Sequence, residues 1–162
     1  MPHQPVIDGF EFASAGATQQ GIWPLKGMPR LRDMLASDAG EVAYEIAGVR
    51  DGRGRPALRL KVRGTLSLRC QRCLEPMRFD VETDETLVLA ATQAEIDADP
   101  TDANAPDRLL AAEEVRVRDV LEDELILALP YAPRHEECEA GADAEGDAKI
   151  SPFAGLRGML KH

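Results

Sequence analysis

Residues 58–70 read LRLKVRGTLSLRC, and their apolar and polar side chains alternate with a period of two. The apolar side chains stand at the even positions: Leu58, Leu60, Val62, Leu66, Leu68 and Cys70. The odd positions carry Arg59, Lys61, Arg63, Thr65, Ser67 and Arg69. Successive side chains of a strand point to opposite faces, so this pattern predicts a long strand with one buried and one solvent-exposed face. Gly64 interrupts the apolar series and is a candidate for a bulge or bend.

Shorter alternating stretches on both sides predict a sheet around this strand. Residues 41–49 alternate and indicate a preceding strand, and a segment dense in Gly, Pro and Asp follows at residues 51–56. After a turn at residues 70–73, the alternation resumes at residues 77–81, which predicts an antiparallel partner for the long strand. Residues 87–90 predict a further strand.

From Val117 onward the period changes to that of a helix. The apolar residues on one helical face are Val117, Val120, Leu121, Leu125 and Ala128. Pro130 ends the run. Two shorter helices are predicted, one over residues 29–36 with Pro29 in its first turn, and a tail helix that begins at Ser151 and Pro152.

Together these elements predict an α+β fold, with an antiparallel β-sheet packed against one main helix, a short tail helix and acidic flexible loops. The loops are residues 92–108 and 139–148, which are rich in Asp, Glu and Ala. Residues 1–20 show no convincing periodicity. We therefore expect residues 1–36 to form a loosely attached N-terminal segment with a short helix, and residues 37–162 to form the α+β domain.

The composition narrows the class of protein. The 162 residues carry a net charge of −10, whereas a general nucleic-acid binder is expected to be basic. Three cysteines do not suggest a disulfide framework, and they fit a reducing compartment. No secretory signal is visible, and the longest apolar stretch, residues 125–129, is too short to cross a bilayer. The sequence predicts a cytoplasmic protein with no membrane partner.

Four residues have the chemistry of a metal site. Cys70 and Cys73 stand three positions apart at a turn, so both thiols can reach one ion. Structural zinc needs four ligands, and His135 and Cys138 offer the other two, which gives one structural Zn²⁺ in a Cys3His site. The entropic cost of closing such a long loop grows only logarithmically with its length. Two alternatives stay open: the cysteines are incidental, or Cys70 and Cys73 form a redox pair, which the preceding strand disfavours.

Basic and acidic residues are segregated along the chain. Residues 50–72 contain eight basic residues and one acidic residue, whereas residues 93–147 contain seventeen acidic and four basic ones. A basic row on one strand face can follow a phosphate backbone. The candidate RNA-binding residues are Arg59, Lys61, Arg63, Arg69 and Arg72. The alternatives are an ordinary solvated strand face, or a row masked by the acidic loops until RNA displaces them.

The sequence gives little support for catalysis. It has no Gly-rich phosphate loop, no His-Glu-x-x-His motif and no arrangement of Ser, His and Asp typical of a hydrolase. Asp123 and Glu124 are adjacent and therefore point in different directions on a helix, which is typical of a solvated face. Glu124 lies nearest the apolar stripe, where a buried hydrogen bond is an alternative. We expect a protein that is not an enzyme and has no small-molecule substrate.

Four segments together resemble the bacterial YceD family. They are residues 68–76 (LRCQRCLEP), 119–130 (DVLEDELILALP), 133–138 (PRHEEC) and 151–156 (SPFAGL). Their order and spacing agree with the family from about residue 66 to the end of the chain, whereas the first third is only loosely similar.

This resemblance implies an accessory factor in the synthesis, processing or stability of 23S (large-subunit) ribosomal RNA. It implies no reaction. The leading hypothesis is that the chain binds large-subunit ribosomal RNA, its precursor or pre-ribosomal particles. The alternative is an acidic protein-interaction module that holds a basic large-subunit ribosomal protein during ribosome assembly. In that case the acidic segments around residues 95–107 and 136–147 would carry the interaction.

Overall fold

The computed structural model describes residues 5–99 and 102–138, most of which are organised by one five-stranded sheet. In chain order the strands are β1 Val6–Ile7, β2 Thr18–Pro24, β3 Glu41–Arg50, β4 Pro56–Arg69, β5 Pro76–Ala90, β6 Arg108–Leu110 and β7 Val115–Arg116. The α-helices are α1 Gly9–Ser14, α2 Pro29–Arg32, α3 Gln93–Asp97 and α4 Val117–Ala128, and a 3-10 turn spans Leu25–Gly27. The sheet order is β2-β3-β4-β5-β6, antiparallel from β2 to β5, with β6 parallel to β5. The predicted α+β class, with its antiparallel sheet and one main helix, is confirmed.

The long alternating strand is β4, which lies at the centre of the sheet. Its apolar even side chains, from Leu58 to Leu68, are at most 2% exposed and belong to the core. The predicted antiparallel partner is β5. The prediction of a separate strand at residues 87–90 is wrong, because β5 continues without interruption and still pairs with β4 at Val88.

Gly64 is not a bulge. The register between β4 and β5 runs unbroken past this residue, and Gly64 also stays in register with Val42 of β3. An added Cβ would lie 2.7 Å from Cγ1 of Val42 and 3.2 Å from the carbonyl oxygen of Glu41. Glycine therefore allows a close approach of β3 and β4, a second reason for glycine within a strand.

Residues 5–36, part of the segment expected to attach loosely, pair with the sheet and contribute to the core. β2 pairs with β3 over seven positions, from Thr18 to Pro24. Leu25, Met28 and Leu31 have no exposed surface. Full burial of such side chains contributes about 1.5–3 kcal/mol each, so this segment is a stable part of the core. The predicted helix at residues 29–36 is present as the shorter α2.

The main helix α4 has the predicted buried face and also buries a carboxylate. The Glu122 side chain is 1% exposed, and its Oε1 accepts hydrogen bonds from the backbone N–H groups of Arg30 (2.6 Å) and Leu31 (3.0 Å). These donors lie in the first turn of α2, where a helix leaves N–H groups without partners. Glu122 therefore fastens α2 to α4, a role that the sequence pattern did not indicate.

The two neighbouring acids of α4 differ from each other. Asp123 is exposed and forms an ion pair with Arg30 at 2.6 Å. Glu124 is only 8% exposed, and burial of its carboxyl group raises its pKa above the ordinary value. The solvated face expected for both residues therefore holds for Asp123 alone.

The first acidic segment has more structure than expected. Residues 93–97 form α3, whose N-cap is the side chain of Thr92, and Arg108 begins β6. The second acidic segment, residues 139–148, and the tail helix lie outside the described residues. None of the helices in the described part of the chain is long and apolar enough to span a membrane.

Candidate metal centre and basic turn

The turn between β4 and β5 brings two thiols together. Cys70 occupies the last even position of the alternating stretch and is fully buried. The backbone folds back after it, because Cys70 and Glu75 are joined by a hydrogen bond (N to O, 3.0 Å) and the Leu74 N–H donates to the Cys70 carbonyl (3.0 Å). Leu74 adopts a left-handed conformation with φ of 63°, which closes the turn. This turn places Cys73 close to Cys70.

The segment after α4 supplies the other two candidate ligands. α4 ends at Ala128, and the following residues return to the β4–β5 turn, where the Gln71 N–H donates to the carbonyl of Pro133 (2.8 Å). His135 places its Nδ1 3.3 Å from Sγ of Cys73, although the two residues are 62 positions apart. Cys138 places its Sγ 3.7 Å from Sγ of Cys70. The four predicted ligands thus converge in space.

The donor set fits a tetrahedral metal ion. The four ligand atoms of the cluster all lie within 4.8 Å of one another. Zinc–sulfur bonds of about 2.3 Å place two sulfurs of a tetrahedron roughly 3.8 Å apart, close to the separation of Cys70 and Cys138. A disulfide requires about 2.05 Å between its sulfurs, so the cysteines are free thiols or metal ligands.

The histidine is held in the form that a metal requires. Nε2 of His135 lies 3.2 Å from the carbonyl oxygen of Pro76. A carbonyl oxygen only accepts hydrogen bonds, so Nε2 is the donor in this contact, and in the neutral imidazole Nδ1 is then the nitrogen whose lone pair can bind an ion. The imidazole is therefore oriented by the same hairpin that carries the first two thiols.

Hydrogen bonds prepare one thiol for metal binding. Burial opposes ionisation of Cys70, but N–H groups of Cys73, His135 and Arg72 point at its sulfur and lower its pKa to about 5. The thiolate is the form that binds metals. Burial raises the pKa of the Cys138 thiol, and so do the neighbouring sulfurs of Cys70 and Cys73. A bound cation would offset that repulsion, because metal binding and thiol deprotonation are linked.

Four of the five candidate RNA-binding residues fall into two groups, and Arg63 belongs to neither. The first, the paired row, consists of Arg59 and Lys61 in the middle of β4. Arg59 makes two hydrogen bonds to Asp84 of β5 (2.7 and 2.6 Å), and Lys61 lies 3.5 Å from Glu45 of β3. The acids paired with these two residues therefore come from neighbouring strands, and within the described residues neither cation forms an ion pair with an acidic loop.

The second group, the basic turn, consists of Arg69 and Arg72. Both side chains are exposed, and neither forms an ion pair with any residue in the ranges 5–99 and 102–138. Arg72 donates a hydrogen bond from Nη1 to the carbonyl of Cys138 (3.2 Å), which ties it to the Cys3His group. Arg63 lies between the groups, opposite Glu82 in the β4–β5 register, and has no ion pair in those ranges either.

Sequence reasoning missed the acids that face the paired row. Asp80, Glu82 and Asp84 stand at even positions of β5, opposite Thr65, Arg63 and Lys61 respectively. The sequence does contain a signal for these acids. The apolar residues of this segment, from Met77 to Val81, stand at odd positions, so the even positions lie on the polar face. It becomes informative only when the register of the hairpin is known.

Comparisons with known proteins agree on one family. The family model described as "Large ribosomal RNA subunit accumulation protein YceD" matches residues 58–160, a span that begins in β4 and includes all four metal-site residues. A protein of the same name from Haemophilus influenzae (strain ATCC 51907 / DSM 11121 / KW20 / Rd) is 26% identical over 163 residues, covering 94% of this chain and 93% of that protein. No solved structure matches the chain.

Proposed function

This chain belongs to the YceD family of large ribosomal RNA subunit accumulation proteins, and we propose that it acts there as a non-enzymatic factor that binds RNA. The family assigns the chain a role in large-subunit ribosomal RNA accumulation. The proposal adds a direct contact to that RNA or its precursor, made by a turn that a structural zinc ion holds in place.

The convergence of Cys70, Cys73, His135 and Cys138 carries this proposal. Three thiols and one imidazole are ligands that suit zinc. Zinc held by four protein ligands has no open position for substrate, so the site would be structural, in keeping with a role that is not enzymatic. Its effect would be to hold the segment of residues 133–138 against the β4–β5 turn.

The basic turn is the part of this assembly best suited to phosphate. Arg69 and Arg72 are exposed cations whose charges are not balanced by an ion pair in the described ranges. Arg134, which precedes a metal-site residue, is exposed on the adjoining segment. Contacts to the phosphate backbone need accessible cations, and the paired row would first have to separate from its carboxylates.

The test is in-cell ultraviolet crosslinking followed by sequencing of the attached RNA. We expect reads concentrated on large-subunit ribosomal RNA or its precursor for the natural chain, and their loss in the double variant Arg69→Glu and Arg72→Glu. The single variant Glu75→Gln, a mild change in the same turn, is the control and should keep the reads. RNA recovery no higher than from cells lacking the protein would contradict direct binding.

A second candidate function is to hold a basic ribosomal protein before assembly. A groove of about 560 Å³ between β6, β7 and α4 is lined by four acids and one base, and this excess of negative charge favours a cationic partner; these residues are Glu113, Glu114, Arg116, Asp119 and Asp123. Under this proposal, association with a large-subunit ribosomal protein would survive ribonuclease treatment and the arginine substitutions in the basic turn. Charge reversal of Glu113 and Glu114 would abolish it.

A further inference from the structure

Tyr131 differs from every other aromatic residue in the described part of the chain. Tyr44 belongs to the core, and Phe10, Phe12, Trp23 and Phe79 pack against it. Tyr131 is 105% exposed relative to a reference tyrosine, so neither face of its ring is covered by the described residues. Such a ring contributes little to folding, and it becomes informative about binding where an apolar surface adjoins it.

The backbone around this ring is held on both sides. Tyr131 follows Pro130 at the end of α4, where the Leu129 N–H still donates to the carbonyl of Ile126 (3.3 Å). Two residues later, Pro133 accepts a hydrogen bond from Gln71 of the β4–β5 turn. The ring therefore projects from a short bridge between the main helix and the metal-site segment, and little backbone entropy would be lost when it binds a partner.

A groove of about 560 Å³ lies beside the ring and is itself partly apolar. Its walls include Leu68, Leu129 and the half-exposed side chain of Met34, and Arg69 of the basic turn lies on its rim. Among the described residues that line it, the single acid is Asp33. An exposed aromatic ring, apolar walls and an accessible guanidinium thus meet in one place.

This combination matches the chemistry of an unpaired nucleotide. Proteins bind single-stranded RNA by stacking its bases on aromatic side chains while cations contact the phosphates. A base inside a duplex is stacked on its neighbours and is not accessible to such a ring. We propose that Tyr131 stacks on an unpaired base of single-stranded RNA in this groove while Arg69 contacts the adjoining phosphate. The inference rests on the proposed function, whose RNA it restricts to single-stranded segments.

The experiment measures fluorescence anisotropy of a labelled 12-nucleotide single-stranded RNA of mixed sequence, and of the same RNA annealed to its complement, with the full-length protein. Loss of one stacking contact should weaken single-strand binding by Tyr131→Ala roughly tenfold. Tyr131→Phe keeps the ring and should bind like the natural protein. Leu127→Ala removes another exposed apolar side chain, on α4 and outside this groove, and should change nothing. Binding of the duplex should be equal for all four proteins.

The outcomes separate this inference from the proposed function. Single-strand binding that Tyr131→Ala leaves unchanged would overturn the stacking contact and leave RNA binding intact. Equal losses for Tyr131→Ala and Tyr131→Phe would assign the effect to the hydroxyl group and also overturn it. No binding of either RNA by the natural protein would overturn both proposals. An ultraviolet crosslink between the single-stranded RNA and Tyr131, located by mass spectrometry, would support the contact directly.

Discussion

The paired row and the basic turn carry similar side chains, about ten residues apart on β4 and its continuation, yet their surroundings differ. Arg59 and Lys61 lie where β4 has a strand on each side, and those strands supply Asp84 and Glu45. Pairing between β3 and β4 stops at Gly64, and the position opposite Arg69 on β5 is Pro76, which has no charge. Within these two groups, whether a cation is paired therefore depends on the residues that the neighbouring strands place beside it more than on its own strand.

The largest effect expected from this comparison follows removal of the proposed zinc ion. Chelation should lower the free energy of unfolding by on the order of 3–4 kcal/mol, the linkage expected when free zinc exceeds its Kd by a hundredfold to a thousandfold. It should also release the basic turn and weaken RNA binding, while the ion pairs of the paired row remain. Chemical unfolding and RNA affinity, each with and without chelator, measure these effects.

Cys73→Ser is the matched control for that experiment. It removes one ligand, so the variant should already resemble the chelated protein, and the chelator should have no further effect on it. Metal analysis of the natural protein purified without chelators should give one equivalent of zinc. Less than half an equivalent in a normally folded protein would contradict the zinc assignment.

A smaller effect is expected when the paired row is released. Asp84→Asn removes the carboxylate that holds Arg59 and should convert this arginine into a phosphate contact. RNA affinity should then rise, and the slope of log affinity against log salt should steepen by about one. Glu113→Gln makes the same charge change away from this face of the sheet and should leave the slope unaltered. An equal gain of RNA affinity in both variants would show that the affinity depends only on the net charge of the protein.

The smallest effect is the dependence of stability on pH that the same ion pair confers. The hydrogen bond from Arg59 holds the pKa of Asp84 below its ordinary value of 3.8, so the folded protein binds this proton less readily than the unfolded chain does. The stabilisation by this ion pair is therefore present above pH 3.8 and is lost as the pH falls through the lowered pKa of Asp84. Both side chains are about half exposed, so it is small and decreases with salt.

Urea unfolding of the natural protein and Asp84→Asn measures this contribution. The difference in their free energies of unfolding should narrow as the pH falls from 6 toward 3. A difference that stays constant over this range would show that Asp84 acts through something other than its charge.

The parts predicted from sequence are those governed by local spacing. β4 and α4 were recognisable because a period of two or of 3.6 is contained within one segment. The metal ligands were recognisable because their chemistry is rare and two of them share one turn. β2 was missed, since Gln19, Gln20 and Gly21 give this edge strand a polar, irregular pattern.

The features that the sequence did not reveal depend on distant segments. The carboxylates facing Arg59 and Lys61 follow from hairpin register, and the role of Glu122 follows from the docking of α2 on α4. Tyr131 is exposed because no other described segment packs over its ring, and no local sequence pattern indicates this. Sequence reasoning therefore placed these cations on the polar face of β4 and in the turn after it, but could not tell which of them were already paired.

The central claim is that RNA is bound by the basic turn and not by the paired row. It is tested most directly by measuring the affinity for a fragment of large-subunit ribosomal RNA of two double variants with identical charge changes. One carries Arg69→Glu with Arg72→Glu, and the other carries Arg59→Glu with Lys61→Glu. We predict that the first loses most of the affinity and that the second binds within a few-fold of the natural protein. Equal losses in both, or a greater loss in the second, would contradict the account.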